Sequence, residues 1–300
     1  MKIIYVNSIE DVKPLNKNSN LILGNFDGIH IGHSQLINFA KQNSKGELGV
    51  LTFSHSLKGI GQCLMSLEDK LSFLSKIDID FVIILAANES IKHVSSIDFI
   101  QDYLRVLNPE RIFCGPDFKF GYLAQGNVQL LKQYFSNLCV LNFVNDHNGN
   151  KIASTEIRNC ILNGEIEKAN RWLGHNYQIK GVVVHGKGKG KQIGFPTANI
   201  ECEFNYVLPK DGVYITLIDI KGVKYKSITN IGTCPTVSSS STKTIETFVF
   251  DFKEDLYGEL VKLTFIKFLR EEQKFANLDE LAIQLQKDRE IAEEYLENEI

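Results

Sequence analysis

Along the first half of the chain, short apolar runs alternate with segments whose apolar residues recur at helical spacing. Residues 21–26, 48–53, 81–86, 111–114 and 139–144 are runs bounded by Gly, Asn or Asp, the pattern of strands buried on both faces. Between them, Leu36, Ile37, Phe39 and Ala40, then Leu67, Leu71 and Leu74, mark the buried stripes of two helices. Ile97, Phe99, Ile100, Tyr103, Leu104 and Leu107 predict a third, and 128–135 a fourth. This alternation predicts parallel β-α-β units in a doubly wound α/β sheet, where ligands sit at the carboxyl ends of strands. Two more helices are expected over 155–162 and 166–173.

After Gly174 the rhythm changes. Residues 181–185, 213–220, 226–231, 245–252 and 261–269 read as consecutive strands joined by loops, the signature of an all-β antiparallel barrel or sandwich. A last helix is expected over 278–296. The change of rhythm places a domain boundary near 175–180, giving domains over 1–175 and 180–300.

Composition narrows the functional classes. A chain of 300 residues with 43% hydrophobic and 23% charged residues reads as a soluble globular protein too long for one core. Its 33 basic and 36 acidic residues leave a net −3, which argues against a broad nucleic-acid-binding surface. No apolar run approaches the ~20 residues that cross a bilayer, and the apolar stretch Ile3–Val6 is too short for a signal peptide. The charge is uneven: residues 271–300 carry ten acids against three bases, which leaves +4 on residues 1–270. Cys63, Cys114, Cys139, Cys160, Cys202 and Cys234 form no C-x-x-C pair and have no His at zinc spacing. They are expected to be reduced, in a cytoplasmic protein.

Two segments carry chemistry. Gly24-Asn25-Phe26-Asp27-Gly28-Ile29-His30-Ile31-Gly32-His33 joins a strand to a helix. Glycines there let backbone approach a bound group, and a helix start offers N–H donors to an anion. His30 and His33 could face one phosphate and donate to charge developing on a leaving pyrophosphate; a metal pair or inert surface histidines are the alternatives. The second segment, Gly186-Lys187-Gly188-Lys189-Gly190-Lys191, is a cationic loop suited to polyphosphate, or a solvated hairpin. With Gly181 it nearly matches a Walker A pattern, but Gly188 replaces the required Ser/Thr and no helix follows.

His30-Ile31-Gly32-His33 matches the H-x-G-H signature of class I nucleotidyltransferases, and the longer segment resembles the prokaryotic bifunctional riboflavin kinase/FAD synthetase family. Gly115-Pro116-Asp117-Phe118-Lys119-Phe120-Gly121, Ser154-Thr155-Glu156-Ile157-Arg158 and Asn170-Arg171-Trp172-Leu173-Gly174 match further motifs of that family. So do Gly194-Phe195-Pro196-Thr197-Ala198-Asn199, Asn230-Ile231-Gly232, Thr244-Ile245-Glu246-Thr247, Asp255-Leu256-Tyr257-Gly258 and the 269–275 segment. The resemblance implies a Rossmann-like FMN adenylyltransferase domain over 1–175 and a β-barrel riboflavin kinase domain with a C-terminal helix over 180–300. It implies that Gly24, Asn25, Gly28, Ser154, Thr155 and Arg158 bind ATP in the first, with His30 and His33 catalytic. In the second, Gly186, Lys187, Lys191 and Thr197 would bind ATP, Thr197 and Asn199 would hold Mg²⁺, and Glu246 would be the base. Arg270, Asp117 and Phe120 are the flavin-site candidates. Riboflavin, FMN, ATP and FAD are the expected partners, with no membrane or nucleic acid and at most a weak homo-oligomer. The sequence departs from the family at Phe53-Ser54-His55-Ser56-Leu57, where F-x-P-H-P is usual, at Lys191 for Arg, and at Phe248, where His is frequent. A chain with one working module, or a flavin-binding regulator without turnover, are the alternative readings.

Overall fold

The computed structural model describes residues 1–54, 62–185, 195–234 and 242–299. The departure at His55 and Ser56 lies outside the described residues, as do Gly186, Lys187 and Lys191. The chain forms two compact units, Met1–Ser154 and Thr155–Ile300.

In the first unit, β1 (Lys2–Val6), β2 (Asn20–Leu23), β3 (Leu48–Phe53), β4 (Phe81–Leu85), β5 (Arg111–Cys114) and β6 (Leu138–Val140) form one sheet. Its order is β1-β4-β3-β2-β5-β6, with every neighbouring pair parallel. The helices are α1 (Ile31–Asn43), α2 (Leu67–Ser75), α3 (Glu89–Lys92), α4 (Ser96–Asp98), α5 (Arg105–Leu107) and α6 (Val128–Tyr134), with a π-helical stretch, Phe99–Leu104, joining α4 to α5. Side chains of a strand alternate between faces, so each of β2 to β5 feeds two cores. Ile22, Val50, Val82, Ile84 and Phe113 pack with Leu36, Ile37, Ala40 and Leu74 of α1 and α2. Leu21, Leu23, Leu51, Ile83 and Ile112 pack instead with Phe99 to Leu107 and with Val128 and Leu131 of α6. This is the doubly wound arrangement that the apolar runs predicted. Strand β1 was not among the expected strands. It pairs only with β4, and the exposed Ile3 and Tyr5 show why its composition is no guide: one face of this edge strand has no cover.

In the second unit, β7 (Tyr177–Val184), β8 (Thr197–Glu201), β9 (Gly212–Ile220), β10 (Val223–Cys234), β11 (Thr242–Val249) and β12 (Leu260–Arg270) close into an antiparallel barrel, order β10-β11-β8-β7-β12-β9. Strand β8 was also unexpected, because only Ala198 and Ile200 of its five residues are buried apolar positions. Helices α7 (Ser154–Leu162) and α8 (Ile166–Leu173) precede the barrel. Asn170 of α8 ties down two strands: its amide donates to the Phe265 carbonyl at 2.9 Å and its oxygen accepts from Tyr177 N–H at 2.8 Å. Gly174 ends α8 in the left-handed region (φ 78°), where a side chain would be strained.

The barrel is fastened from outside by α9 (Leu278–Glu299). Ala292 and Leu296 pack on Val213, Ile215, Ile228, Phe248 and Phe250. Beside them Arg270 grips Asp288, with Nε 3.0 and 3.1 Å from its two oxygens and Nη2 2.7 Å from one. Gln284 donates a further bond to the same carboxylate at 2.9 Å. The Arg270 and Asp288 side chains are 16% and 1% exposed, so removing Asp288 leaves the largely buried Arg270 charge unpaired. Replacing Asp288 by Ala should therefore destabilise the barrel unit by about 3–5 kcal/mol. Urea unfolding followed by Trp172 fluorescence, the chain's single tryptophan, reads this directly; a change below about 1 kcal/mol would contradict it.

Candidate active site

The first site lies where the sheet changes its direction of winding. The chain runs β2, β3, β4 towards one edge, then returns to place β5 and β6 on the other side of β2. A crevice opens at the carboxyl ends of strands flanking such a switch point. Here it is bordered by 24–30 after β2 and by 115–121 after β5. The turn from β2 is strained: Phe26 (φ 52°), Gly28 (φ 82°) and Ile29 (φ 38°) are all left-handed, a conformation that a β-branched Ile rarely adopts. Such geometry persists where surrounding bonds over-determine it. The Asn25 carbonyl accepts from Thr52 Oγ1 at 2.9 Å and from Lys70 Nζ at 2.8 Å. The Asp27 carbonyl accepts from Ser154 Oγ at 2.8 Å, and its carboxylate from Leu64 N–H at 2.9 Å.

His30 ends this turn as the N-cap of α1, and His33 lies on its first turn. Their rings stack with centroids 3.8 Å apart, and His33 also meets the Phe26 ring at 4.7 Å. The Nδ1 atoms of both histidines are shut off from solvent with no hydrogen-bond partner, a condition that a bound ligand would relieve. Burial pushes His30 down to about 4, with Asp117 opposing and Lys151 assisting. Burial also holds His33 well below its ordinary range, and the neighbouring His30 and Lys70 add to the effect. Both rings are thus neutral near pH 7 and can each offer one N–H without themselves carrying charge.

Around them the structure brings some predicted residues together and sets others apart. Gly24, Asn25, Gly28 and Ser154 form or hold the turn. Asp117 is exposed and pairs with Lys151 at 2.6 Å, and both act electrostatically on His30. Phe120 is 3% exposed and packs between Phe99 and Phe118, at 5.3 and 5.7 Å, so it supports the 115–121 loop from the core. Thr155 is exposed and Arg158 half-buried on α7. Two lysines were missed. Lys151 lies three residues before Ser154 with its ammonium 3.9 Å from the Phe143 ring centre. Lys70 was legible as an anomaly: it stands three after Leu67 and four before Leu74, on the buried stripe of α2.

The second site follows from barrel register. Asn199, Glu246, Asn230, Val213 and Arg270 are Cα partners across β8, β11, β10, β9 and β12. Directly opposed residues share a face with Cβ atoms about 5 Å apart, so four residues from four distant motifs stand in one row. Glu246 is exposed there, between two half-buried asparagines. Asn230 Nδ2 also donates to Glu272 at 3.0 Å, a contact the sequence reading missed. Arg270 is placed at the end of the row, but its guanidinium is held by Asp288 and by the Glu271 carbonyl.

Comparison with known proteins fits this division. A riboflavin kinase family model matches residues 173–296, and an FAD synthetase model matches residues 12–156. The bifunctional riboflavin kinase/FMN adenylyltransferase of Bacillus subtilis is 34% identical over 96% of this chain and 95% of its own. That of Listeria monocytogenes is 33% identical over 97% and 96%. The chain belongs to the bifunctional riboflavin kinase/FMN adenylyltransferase family. A solved structure described as a macrolide-efflux protein from Streptococcus pneumoniae also superimposes, with a TM-score of 0.89 at 29% identity, covering 98% of this chain and 99% of that one. No helix among the described residues is long and apolar enough to cross a membrane.

Within this family frame, Phe248 finds a structural reason. It is 6% exposed and packs against Phe195 and Phe250, with ring centroids at 5.0 and 5.5 Å, beneath α9. An aromatic hydrocarbon there extends the core that anchors the helix.

The buried histidines also set a pH dependence. The unfolded chain protonates His30 near 6.5, whereas the folded chain does so only near 4. Stability of the first unit is therefore complete above about pH 6.5 and falls as pH drops towards 4. The His30 contribution is on the order of 3 kcal/mol. Hydrogen exchange of the β2 and β5 amides at pH 7 and pH 4.5 should show this loss, and His30→Gln should reduce it. An equal loss in the variant would contradict the assignment.

Proposed function

We infer that this chain phosphorylates riboflavin to FMN with ATP in the barrel unit and adenylylates FMN to FAD with a second ATP in the Rossmann-like unit. The observation that carries the reading is the neutral histidine pair, with both Nδ1 atoms unsatisfied, at the switch point of a chain whose other unit aligns Glu246 with Asn199.

In adenylyl transfer, a phosphate oxygen of FMN attacks the α-phosphorus of ATP and pyrophosphate departs. No covalent enzyme intermediate is needed, so positioning and charge stabilisation supply the catalysis. His30 and His33 donate N–H bonds to charge gathering on the leaving group. Gly24, Asn25 and Gly28 bring backbone close to the nucleotide, and Ser154, Thr155 and Arg158 hold its phosphates. Asp117 is the contact for ribose or flavin, supported by Phe120. The adenylyltransferase module is taken as residues 1–175 and the kinase module as 180–300.

In the kinase step, Glu246 takes the proton of the ribityl 5′-hydroxyl as that hydroxyl oxygen attacks the γ-phosphorus of ATP, and ADP departs with the bridging oxygen. Its exposure between Asn199 and Asn230 leaves it open to a substrate. Thr197 and Asn199 both lie on β8, two residues apart and hence on one face. A hydroxyl and an amide carbonyl are hard oxygen donors, and with substrate phosphates they fit Mg²⁺. Held by Thr197 and Asn199, the metal would supply charge neutralisation on the triphosphate. Lys187, Lys191 and Gly186 complete the phosphate contacts, and Arg270 borders the flavin while holding α9. A cytoplasmic location belongs to the same reading.

Incubation of the full chain with riboflavin, ATP and Mg²⁺, followed by chromatography, should yield FAD through FMN. FMN alone would leave only the kinase module working, and neither product would overturn the enzyme reading. Glu246→Gln should lower FMN formation by about 10²–10⁴-fold while FAD formation from supplied FMN survives. His33→Ala should show the reverse, with about 10²-fold loss of FAD formation. Joint loss of both activities in either folded variant would contradict separate sites.

A further inference from the structure

Lys70 is 4% exposed, beneath the turn that leads from β2 into α1. Its ammonium has three N–H donors, and the structure supplies three acceptors: the Asn25 carbonyl at 2.8 Å, Thr52 Oγ1 at 3.2 Å and the Phe53 carbonyl at 3.4 Å. All three are uncharged. Burying an ammonium is costly, and burial among neutral acceptors leaves the positive charge without a directly bonded counter-ion. A methionine or leucine on this stripe would fill the space without that cost, so packing does not account for the residue.

Its position does. Asn25 opens the segment in which Phe26 and Ile29 are held left-handed, and its carbonyl is the shared acceptor of Lys70 and Thr52. The same segment ends at His30. The titratable groups that act on Lys70 are Asp27 and Cys63, and Lys70 in turn acts on His33. We propose that Lys70 is a positioning residue for adenylyl transfer, clamping the Asn25 carbonyl so that the strained turn presents His30 and His33 to the leaving group, with its buried charge adding to the positive potential there. This rests on the adenylyltransferase reading above and adds a residue to it. The charge would reinforce the neutrality of His33, since a cation nearby disfavours protonation. Burial also lowers Lys70 to about 8, against the smaller opposing effects of Asp27 and Cys63, so its charge is lost within an accessible pH range.

The test uses the full chain, FMN, ATP and Mg²⁺, with riboflavin phosphorylation as an internal control of folding. Lys70→Met should lower kcat for FAD formation by about 100-fold, with KM for ATP within about threefold and kinase turnover unchanged. Lys70→Arg, which keeps the charge, should recover most of that loss. The wild-type kcat/KM for ATP should fall about tenfold per pH unit above pH 8, and this limb should be absent in Lys70→Arg. Wild-type FAD formation together with a Lys70→Met kcat within threefold overturns the role of Lys70 alone. A wild-type chain that makes no FAD overturns the adenylyltransferase reading and this proposal with it. If Lys70→Met loses kinase activity as well, the wild-type alkaline limb decides: a flat kcat/KM up to pH 9.5, or the same limb in Lys70→Arg, overturns the proposal.

Discussion

The first unit depends on keeping one turn in a conformation that its residues disfavour. Phe26 and Ile29 have left-handed backbones, which their own side chains disfavour. Bonds that hold the turn come from the end of β3, from α2, from the segment before it and from Ser154. Each ends on a carbonyl or carboxylate of Asn25 or Asp27. Holding the acceptors from behind fixes the turn with His30 and His33 stacked at the crevice. The strain is thus offset by contacts gathered from four parts of the chain, and the placement of the histidine pair is tied to residues far from it in sequence.

The same turn keeps two buried histidines uncharged. A protonated imidazolium in this place would be disfavoured by burial, by its stacked neighbour and by Lys70 or Lys151. Each ring therefore remains neutral in a buried setting, where hydrogen bonds are stronger than in water. Positive charge beside the rings is carried by Lys151 near His30 and Lys70 near His33.

The barrel solves its problem by register. Antiparallel pairing fixes which residues face one another, and one slip would send Glu246 to the opposite face. The row from Asn199 to Arg270 crosses five strands, and the outer apolar residues beside it anchor α9. Inside, Thr216, Ser227, Thr229 and Thr247 bond to one another at 2.8–2.9 Å. Satisfied hydroxyls in the core hold β9, β10 and β11 in this alignment, so the register that places the site is also a hydrogen-bonded feature of the interior.

Much of this was written locally in the chain. The buried strands β2 to β5 announced themselves as apolar runs because both their faces meet helices. The helices showed their stripes, and the glycine-rich segment with two histidines stood out between the first of these strands and its helix. The edge strand β1 and the polar strand β8 did not, since partners elsewhere in the sheet and barrel define them more than their own side chains do. Lys70 showed on the sequence only as a charge on an apolar stripe, and Lys151 and Glu272 gave no signal. The sequence by itself determined which residue types were available and in what order. Only the tertiary structure decided that Asn230 meets Glu272, that Phe120 supports rather than lines its loop, and that a lysine lies under Asn25. Those outcomes depend on contacts between residues far apart along the chain, whose burial, register and backbone strain arise only when the sheet and the barrel close.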